Sequence, residues 1–344
     1  MQFETILPFL RPIEHLILDP EISEIMVNAG SQVFIERLGQ LTQVPGIAIS
    51  EQALNAAVRN IARRLGDDIS EEKPILDSRL PDGSRVAAVL PPCSIDGITL
   101  TIRKFNTRHF TMDDLIENGT LSAETAALLR EKVGNRQNIL ISGGTGSGKT
   151  TLLNILADSI PDDERILLIE DTAELNIRKN NLVRLETRRE QTGLPAVTVR
   201  DLLKAALRHR PDRIIVGEVR GGEAFDLLQA LNTGHAGSLC TLHANSARQA
   251  VTRFADCVLQ SGIELPHRAI MANIASAVDL LVHIGRTRGQ RAISEIVAMR
   301  GFDNERNECI PRRSKPLRSA CSTRLLRRAI QVDYVVRIKS IPCY

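Results

Sequence analysis

An eight-residue segment, 143–150, reads Gly-Gly-Thr-Gly-Ser-Gly-Lys-Thr and follows an apolar run, Ile139–Ile141. Thr151–Leu156 then continue as a helical segment. Strand, glycine-rich turn and helix in this order are the setting of a phosphate-binding loop, or P-loop. Glycines let the backbone curl so that successive N–H groups face an anion, and the positive end of the helix dipole adds to the attraction. The segment therefore predicts a nucleoside triphosphate site; the alternative is a glycine-rich turn that holds no ligand.

Each position of this loop has a part in the prediction. Lys149 can reach the β- and γ-phosphates, and the Thr150 hydroxyl can bind Mg²⁺. The expected ligands are ATP and Mg²⁺. The residues predicted to bind the nucleotide from the loop and the first helical turn are Gly143, Gly144, Thr145, Gly146, Ser147, Gly148, Lys149, Thr150 and Thr151.

Short apolar runs alternate with helical segments after residue 138. The runs are continuously apolar, which is typical of strands buried on both faces of a parallel sheet covered by helices. We therefore predict an α/β fold with a mostly parallel sheet. The predicted strands are Ile139–Ser142, Ile166–Glu170, Leu182–Glu186, Arg213–Gly217 and Ser238–Thr241, and the predicted helices are Leu202–Leu207, Ala224–Leu231 and Ala247–Leu259.

The pattern divides the chain into four segments. Residues 1–105 read as a small α/β N-terminal domain, in which Glu51–Leu65 has apolar residues at helical spacing. Residues 106–120 are polar without a strong apolar period and are predicted to be a linker. Residues 121–300 form the P-loop domain. Residues 301–344 are a basic tail whose structure the pattern leaves open.

Composition excludes several classes of protein. No apolar stretch reaches the roughly 18 residues that a membrane-spanning helix needs, and we expect no signal peptide. The six cysteines form no CxxC pair, which argues against a disulfide scaffold or a zinc ribbon and favours a reducing cytoplasm. The net charge of +3 hides an asymmetry, because residues 301–344 hold 10 Lys/Arg against 4 Asp/Glu. A basic tail is no sign that the main body binds nucleic acid.

Three of the later segments carry polar residues at or beside a predicted strand: Ile169–Glu174, Pro211–Arg220 and Thr233–Ala244. The carboxyl ends of the strands in a parallel sheet face the ligand crevice, so polar residues at those ends can reach a bound nucleotide. Hydrolysis needs a group that orients water and others that neutralise developing charge. Glu218 is the first candidate to polarise the water and Glu170 the second, and either could act through Mg²⁺ instead.

In their order after the P-loop, these segments resemble the secretion (traffic) ATPase superfamily. Gly143–Thr150 matches its Walker A motif and Ile169–Leu175 its acidic box; Arg210–Arg220 resembles its unusual Walker B motif, with Gly-Glu, and Thr233–Ala244 matches its histidine box. The resemblance implies a RecA-like P-loop ATPase domain. It implies that His243 lies near the γ-phosphate, which adds this residue to Lys149, Glu218 and Glu170 as predicted catalytic residues. It also implies that Arg85 and Arg103 of the first domain reach the nucleotide.

Sequence features choose a branch of this superfamily. The pilus-extension and type II branch carries a four-cysteine zinc module, which has no counterpart here, and the retraction motors have a shorter gap than the one between His235 and His243. Leu18–Asn28 and Arg37–Gly39 resemble the start of the conjugal-transfer ATPase group, TrbB, of type IV secretion. That group implies a homohexameric ring at the cytoplasmic face of the inner membrane, docked on secretion-system components.

Other functions stay open at this point. A DNA-handling RecA-like ATPase would fit the Arg-rich tail, although aromatic content of only 3% is poor equipment for stacking bases, so direct nucleic-acid binding is not expected. A pilus-assembly ATPase of a sister branch is a further alternative. A nucleotide switch without catalysis would bind ATP without turnover.

Overall fold

The computed structural model describes residues 6–37, 40–105, 110–188, 190, 194–287, 290–303, 308–311 and 336–337. The chain divides into two compact units, Met1–His109 and Phe110–Tyr344. The predicted basic tail lies outside the described residues apart from three short stretches, at 301–303, 308–311 and 336–337.

The first unit holds a six-stranded sheet in which every neighbouring pair is antiparallel. Its strands are β1 (Ile22–Asn28), β2 (Gln32–Arg37), β3 (Gln40–Val44), β4 (Ile75–Arg79), β5 (Arg85–Val89) and β6 (Thr99–Arg103). Their order is β3-β2-β1-β6-β5-β4. Along β5 buried residues alternate with partly exposed ones, as expected when one face of a sheet is covered.

Helices cover that one face. After two short 3₁₀ helices, Leu7–Phe9 and Arg11–Ile13, come α1 (Glu14–Leu18) and, between β3 and β4, α2 (Glu51–Arg64). Ser50 caps α2 by accepting a hydrogen bond from the Ala53 amide. The apolar residues of α2 recur at helical spacing and pack with the sheet in a single core.

Part of the segment predicted to be a linker, 106–120, forms a helix. Helix α3 (Met112–Glu117) begins with a capping box in which Thr111 and Asp114 exchange side-chain and backbone hydrogen bonds. Met112 and Leu115 are buried in the core of the second unit. Six residues are too few to show an apolar period, so only the cap marked this helix in the sequence.

The second unit is built on one large sheet. Its remaining helices are α4 (Ala123–Gly134), α5 (Lys149–Asp158), α6 (Val199–Ala206), α7 (Glu223–Asn232), α8 (Ala247–Leu259) and α9 (His267–Ala277). Its strands are β7 (Ile139–Gly143), β8 (Ile166–Glu170), β9 (Leu182–Glu186), β10 (Arg213–Val219), β11 (Leu239–His243), β12 (Leu280–Thr287), β13 (Gln290–Asp303), β14 (Glu308–Pro311) and β15 (Val336–Arg337).

The sheet order is β14-β13-β12-β7-β11-β10-β8-β9, with β15 on β13. The pairs from β12 to β9 are parallel, and the pairs that involve β13 are antiparallel. Every residue of β7 and β8 is buried, and successive residues of β7 enter different cores: Leu140 packs on one face of the sheet, and Ile139 and Ile141 on the other. The predicted α/β class with a mostly parallel sheet is confirmed.

A hairpin of β12 and β13 extends this sheet on the far side of β7 from β11. The sequence pattern did not predict β12, α9 or the length of β13, which runs past residue 300, the predicted end of the domain. Since β12 pairs with β7 along Ile139–Ser142, the hairpin lies beside the strand that leads into the P-loop.

Candidate active site

The P-loop connects β7 to α5 and takes its shape from glycines. Gly146 and Gly148 have φ of +66° and +99°, in the left-handed region that other residues avoid. Gly148 is the N-cap residue of α5, and no side chain caps the helix there. The first amides of a helix lack intrahelical partners, so this end of α5 presents N–H groups and a positive dipole to an anion.

Gly143 is required by close packing beneath the loop. A Cβ atom at this position would lie 2.3 Å from the carbonyl oxygen of Ile284 and 2.5 Å from the Ser147 Oγ. Ser147 is buried, and its hydroxyl has no hydrogen-bond partner among the described residues. By contrast, a Cβ atom on Gly144 would meet nothing within 4 Å. The start of the loop is therefore closely packed at Gly143, whereas the space beside Gly144 is open.

Lys149 lies in this loop as a buried cation. Only 7% of the residue is exposed, and its Nζ donates to the Gly144 carbonyl at 2.9 Å and lies 3.4 Å from the His243 Nε2. Burial lowers the pKa of Lys149, while the Glu218 carboxylate opposes that shift. One carbonyl satisfies one of three N–H donors, so the ammonium group is prepared to exchange this contact for phosphate oxygens.

Sheet pairing brings Glu218 and His243 to the loop. His243 ends β11 and pairs in register with Gly143, and Glu218 lies in an irregular stretch of β10 between Val216 and Val219. A bulge of this kind re-aims side chains and is common next to active sites. Glu218 Oε1 is 3.0 Å from His243 Nε2. The structure thus brings three of the predicted residues, Lys149, Glu218 and His243, into one chain of contacts.

The state of the His243 ring follows from these contacts. Burial and the Lys149 ammonium lower its pKa, and Glu218 only partly compensates, so the ring is neutral at pH 7. One nitrogen cannot both donate to Glu218 and accept from Lys149. Because the contact to Glu218 is the shorter one, we assign the proton to Nε2, which donates to the Glu218 carboxylate. Lys149 then lies close to the ring without a hydrogen bond to it, and a phosphate can displace the lysine from this place.

Glu170, the second candidate for the catalytic acid, occupies a different environment. It ends β8 with only 4% of the residue exposed, and its Oε1 accepts hydrogen bonds from the amides of Glu174 and Leu175 at 2.8 and 2.9 Å. Burial raises its pKa to about 7. Its side chain also packs against Gly217, where an added Cβ would lie 3.1 Å from Glu170 Cγ. The carboxyl group thus supports the strand that carries Glu218.

The three threonines of the loop differ in exposure. Thr145 is exposed at the top of the loop, whereas Thr150 and Thr151 are half-buried in the first turn of α5. Within the described part of the chain, no group of three His, Cys, Asp or Glu residues could hold a metal ion. Mg²⁺ does not require one, because it keeps several waters and uses one or two protein oxygens beside substrate phosphates.

Arg85 and Arg103 lie in the first unit, directly opposite each other on β5 and β6. Arg85 forms two hydrogen bonds to Asp77, at 2.7 and 2.8 Å. That these arginines reach the nucleotide stays a prediction.

Sequence reasoning missed two arginines at this site. Arg220 pairs with Glu218 and with Asp171, so it holds the carboxylate that faces His243. Its place two residues after Glu218 was a usable signal. Arg291 of β13 donates from Nε to the Gly146 carbonyl at 3.1 Å. Nothing local in the sequence marks it, because its approach depends on the pairing of β12 with β7.

Comparison with known proteins places the chain in a family of secretion system proteins. The sequence matches the family described as "Type II/IV secretion system protein" over residues 9–332. The conjugal transfer protein TrbB of Rhizobium radiobacter is 38% identical over 291 residues, which cover 83% of this chain and 86% of the relative. The type IV secretion system protein VirB11 of Bartonella quintana is 33% identical over 327 residues, covering 85% and 92%.

Among solved structures, the ATPase DotB of Legionella pneumophila shares the fold. It has a TM-score of 0.60 at 22% identity, over 88% of this chain and 83% of that chain. The resemblance drawn from the four sequence boxes, including its TrbB branch, is confirmed by the family match and these relatives.

Proposed function

The chain belongs to the type II/IV secretion system protein family, and from that premise we propose that it couples ATP hydrolysis at the P-loop to transport in a type IV secretion or conjugal-transfer system. It is an ATPase of this family, with sequence relatives in conjugal transfer and type IV secretion. The observation that carries the assignment of the site is the chain of contacts from Lys149 through His243 to Glu218.

Binding begins with the loop and with α5. The amides around Gly146 and Gly148 and the uncapped end of α5 take the phosphate oxygens. Lys149 then exchanges its contact with the Gly144 carbonyl for the β- and γ-phosphates. Since this ammonium group is already buried and aimed at the loop, little reorganisation is needed when the substrate arrives.

Glu218 is the residue that orients the attacking water. Its carboxylate is held by His243 on one oxygen and Arg220 on the other, so its direction is fixed before the substrate binds. In-line attack on a γ-phosphate depends on positioning and charge stabilisation more than on covalent chemistry. His243 lies between Glu218 and Lys149, so displacement of the lysine by a γ-phosphate would change the contacts of the histidine that holds Glu218.

Mg²⁺ fits the residues at this site. The Thr150 hydroxyl and the Glu218 carboxylate would hold it, directly or through water, and when bound it neutralises charge on the β- and γ-phosphate oxygens. Glu170 is the second acidic candidate that the sequence offers for this role. Its Oε1 already accepts two backbone hydrogen bonds, so we assign it to supporting the loop after β8.

The assembly we propose is a homohexameric ring at the cytoplasmic face of the inner membrane, with docking partners in the secretion apparatus. A closed ring lets a nucleotide-dependent movement pass between subunits. We assign Arg85 and Arg103 to contacts with the nucleotide that make this movement depend on the γ-phosphate. Each helix within the described part of the chain is too short or too polar to span a lipid bilayer.

The assignment is tested by Lys149→Ala. We expect ATP turnover to fall at least about a hundredfold, because the variant loses the charge that meets the β- and γ-phosphates, while light scattering shows unchanged oligomers. Phosphate release is the measurement. Lys204→Ala, which removes an exposed lysine of α6, is the matched control. Turnover by Lys149→Ala at the rate of the unmutated protein contradicts the assignment.

A further inference from the structure

The P-loop is flanked by a second polar group that the proposed chemistry does not use. Arg286 and Arg291 face each other on β12 and β13, as directly opposed residues of the antiparallel pair. Arg291 donates to the Gly146 carbonyl at 3.1 Å. Arg286 also approaches the loop, since its guanidinium lies 3.8 Å from where a Cβ atom on Gly146 would be.

The hairpin pattern aims this pair at the loop. Ile284 and Ile293, the preceding opposed pair on the same face, are buried in the core beneath α5. Further along that face the pair is Arg286 and Arg291, at the level of the glycines. Two guanidinium groups beside a phosphate-binding loop are placed where they can donate hydrogen bonds to a phosphate.

Strand order decides which part of a nucleotide this pair meets. β11, with His243, lies on one side of β7, and β12 lies on the other. Lys149, which serves the β- and γ-phosphates, turns toward His243. The arginines approach Gly146 and Gly148 from the opposite side, so they face the end of the nucleotide remote from the reacting phosphate.

The surroundings of Arg291 agree with that placement. It lies on the wall of a small cleft beside the loop, whose other walls include Phe110, Thr151 and Ile284. Apolar walls with a hydroxyl and a guanidinium at one side are a lining that suits a ribose beside a phosphate.

We propose that Arg286 and Arg291 bind the non-reacting end of the nucleotide, at the α-phosphate and ribose, and so set affinity for ATP and ADP alike. The inference rests on the proposed ATPase function, since it requires a nucleotide in the P-loop. Both arginines are positioning residues for binding and take no part in attack on the γ-phosphate.

The experiment compares Arg286→Gln and Arg291→Gln with Arg208→Gln, a control at an exposed arginine near the end of α6. Titration with fluorescent ADP and ATP analogues gives affinity, and phosphate release gives kcat and KM. We expect each site variant to bind both nucleotides about tenfold more weakly, by the same factor, with KM raised to match and kcat within about twofold. The control should change none of these.

Three results overturn the proposal. They are unchanged affinity in both variants, a loss confined to ATP, which would place the pair at the γ-phosphate, and a loss of kcat without a loss of affinity. Arg286→Gln guards against a folding artefact, because it leaves the hydrogen bond from Arg291 to Gly146 in place. If the unmutated protein binds nucleotide but shows no turnover, the proposed ATPase function is contradicted. The proposal for Arg286 and Arg291 is still decided by the titrations in that case.

Discussion

The two sheets of this protein use their strand ends differently. In the first unit neighbouring strands run antiparallel, so their carboxyl ends alternate between two edges, and Arg85 and Arg103 meet because their strands pair. In the second unit β7, β10 and β11 run parallel, so Gly143, Glu218 and His243 come to one edge from distant parts of the chain. A parallel sheet covered on both faces thus leaves one edge at which polar groups concentrate. Strand direction, more than residue type, therefore decides where polar groups can assemble into a catalytic site.

Gly143→Ala should be the most damaging of these substitutions, and its damage should fall on the second unit at the P-loop. Gly143→Ala places a Cβ atom 2.3 Å from a backbone carbonyl, so we expect a loss of stability of about 5 kcal/mol and no nucleotide binding. Gly144→Ala, which meets open space, is the matched control and should fold normally. Denaturant unfolding and nucleotide titration are the measurements. A stable Gly143→Ala protein that binds ATP would show that β12, which carries the Ile284 carbonyl, can shift to make room for the added methyl group.

Gly30 provides the corresponding test in the first unit. Gly30 has φ of +72°, and a Cβ there would lie 2.1 Å from the Ile49 carbonyl oxygen. Gly30→Ala should therefore destabilise the first unit by a similar amount, with hydrogen exchange localising the damage outside the P-loop unit. Loss of protection in the P-loop strand instead would contradict the separation of the two units.

Ion pairs give the next contrast. Arg213 of β10 is fully buried, with two hydrogen bonds to Glu164 and two to backbone carbonyls. Glu164→Ala leaves this guanidinium buried without its counter-ion, so we expect a loss of about 3 kcal/mol. The pair of Arg85 and Asp77 in the first unit is partly exposed, and Asp77→Ala should cost about 1 kcal/mol or less. Urea unfolding compares the two; equal losses would mean that burial does not set the difference.

The smallest effect depends on pH and concerns Glu170. Its pKa of about 7 in the folded protein exceeds the ordinary value of 4.5, so the folded state holds a proton that the unfolded chain releases between those values. The stability that this proton contributes is present at low pH and is lost as the pH rises through 7, a change of about 2 kcal/mol between pH 5 and pH 8. Glu170→Gln should remove this dependence and Glu117→Gln, at an exposed position, should keep it. Urea unfolding at the two pH values measures it, and a slope unchanged in Glu170→Gln would rule out this carboxyl as its source.

Sequence alone predicted what is encoded locally. The P-loop, the apolar strands and the polar strand ends are each visible within a few residues, and so were Lys149 and Glu218 as candidates, whereas His243 was predicted through the family resemblance. The hairpin of β12 and β13 was not predicted, because β12 is recognised as part of this sheet only through its pairing with β7. Arg291 could not be assigned for the same reason. Helix α3 was not predicted for another reason. The sequence contains its capping box at Thr111 and Asp114, but six residues are too few to show an apolar periodicity.

The order of strands has a consequence during translation. β7 emerges from the ribosome with the complete P-loop behind it, yet its two neighbours consist of residues 239–243 and 280–287 and are made much later. At about 5–20 residues per second, many seconds separate the motif from the sheet that supports it. A nascent chain therefore carries the nucleotide-binding signature without its partners, and we expect it to consume no ATP until synthesis has passed the second neighbour.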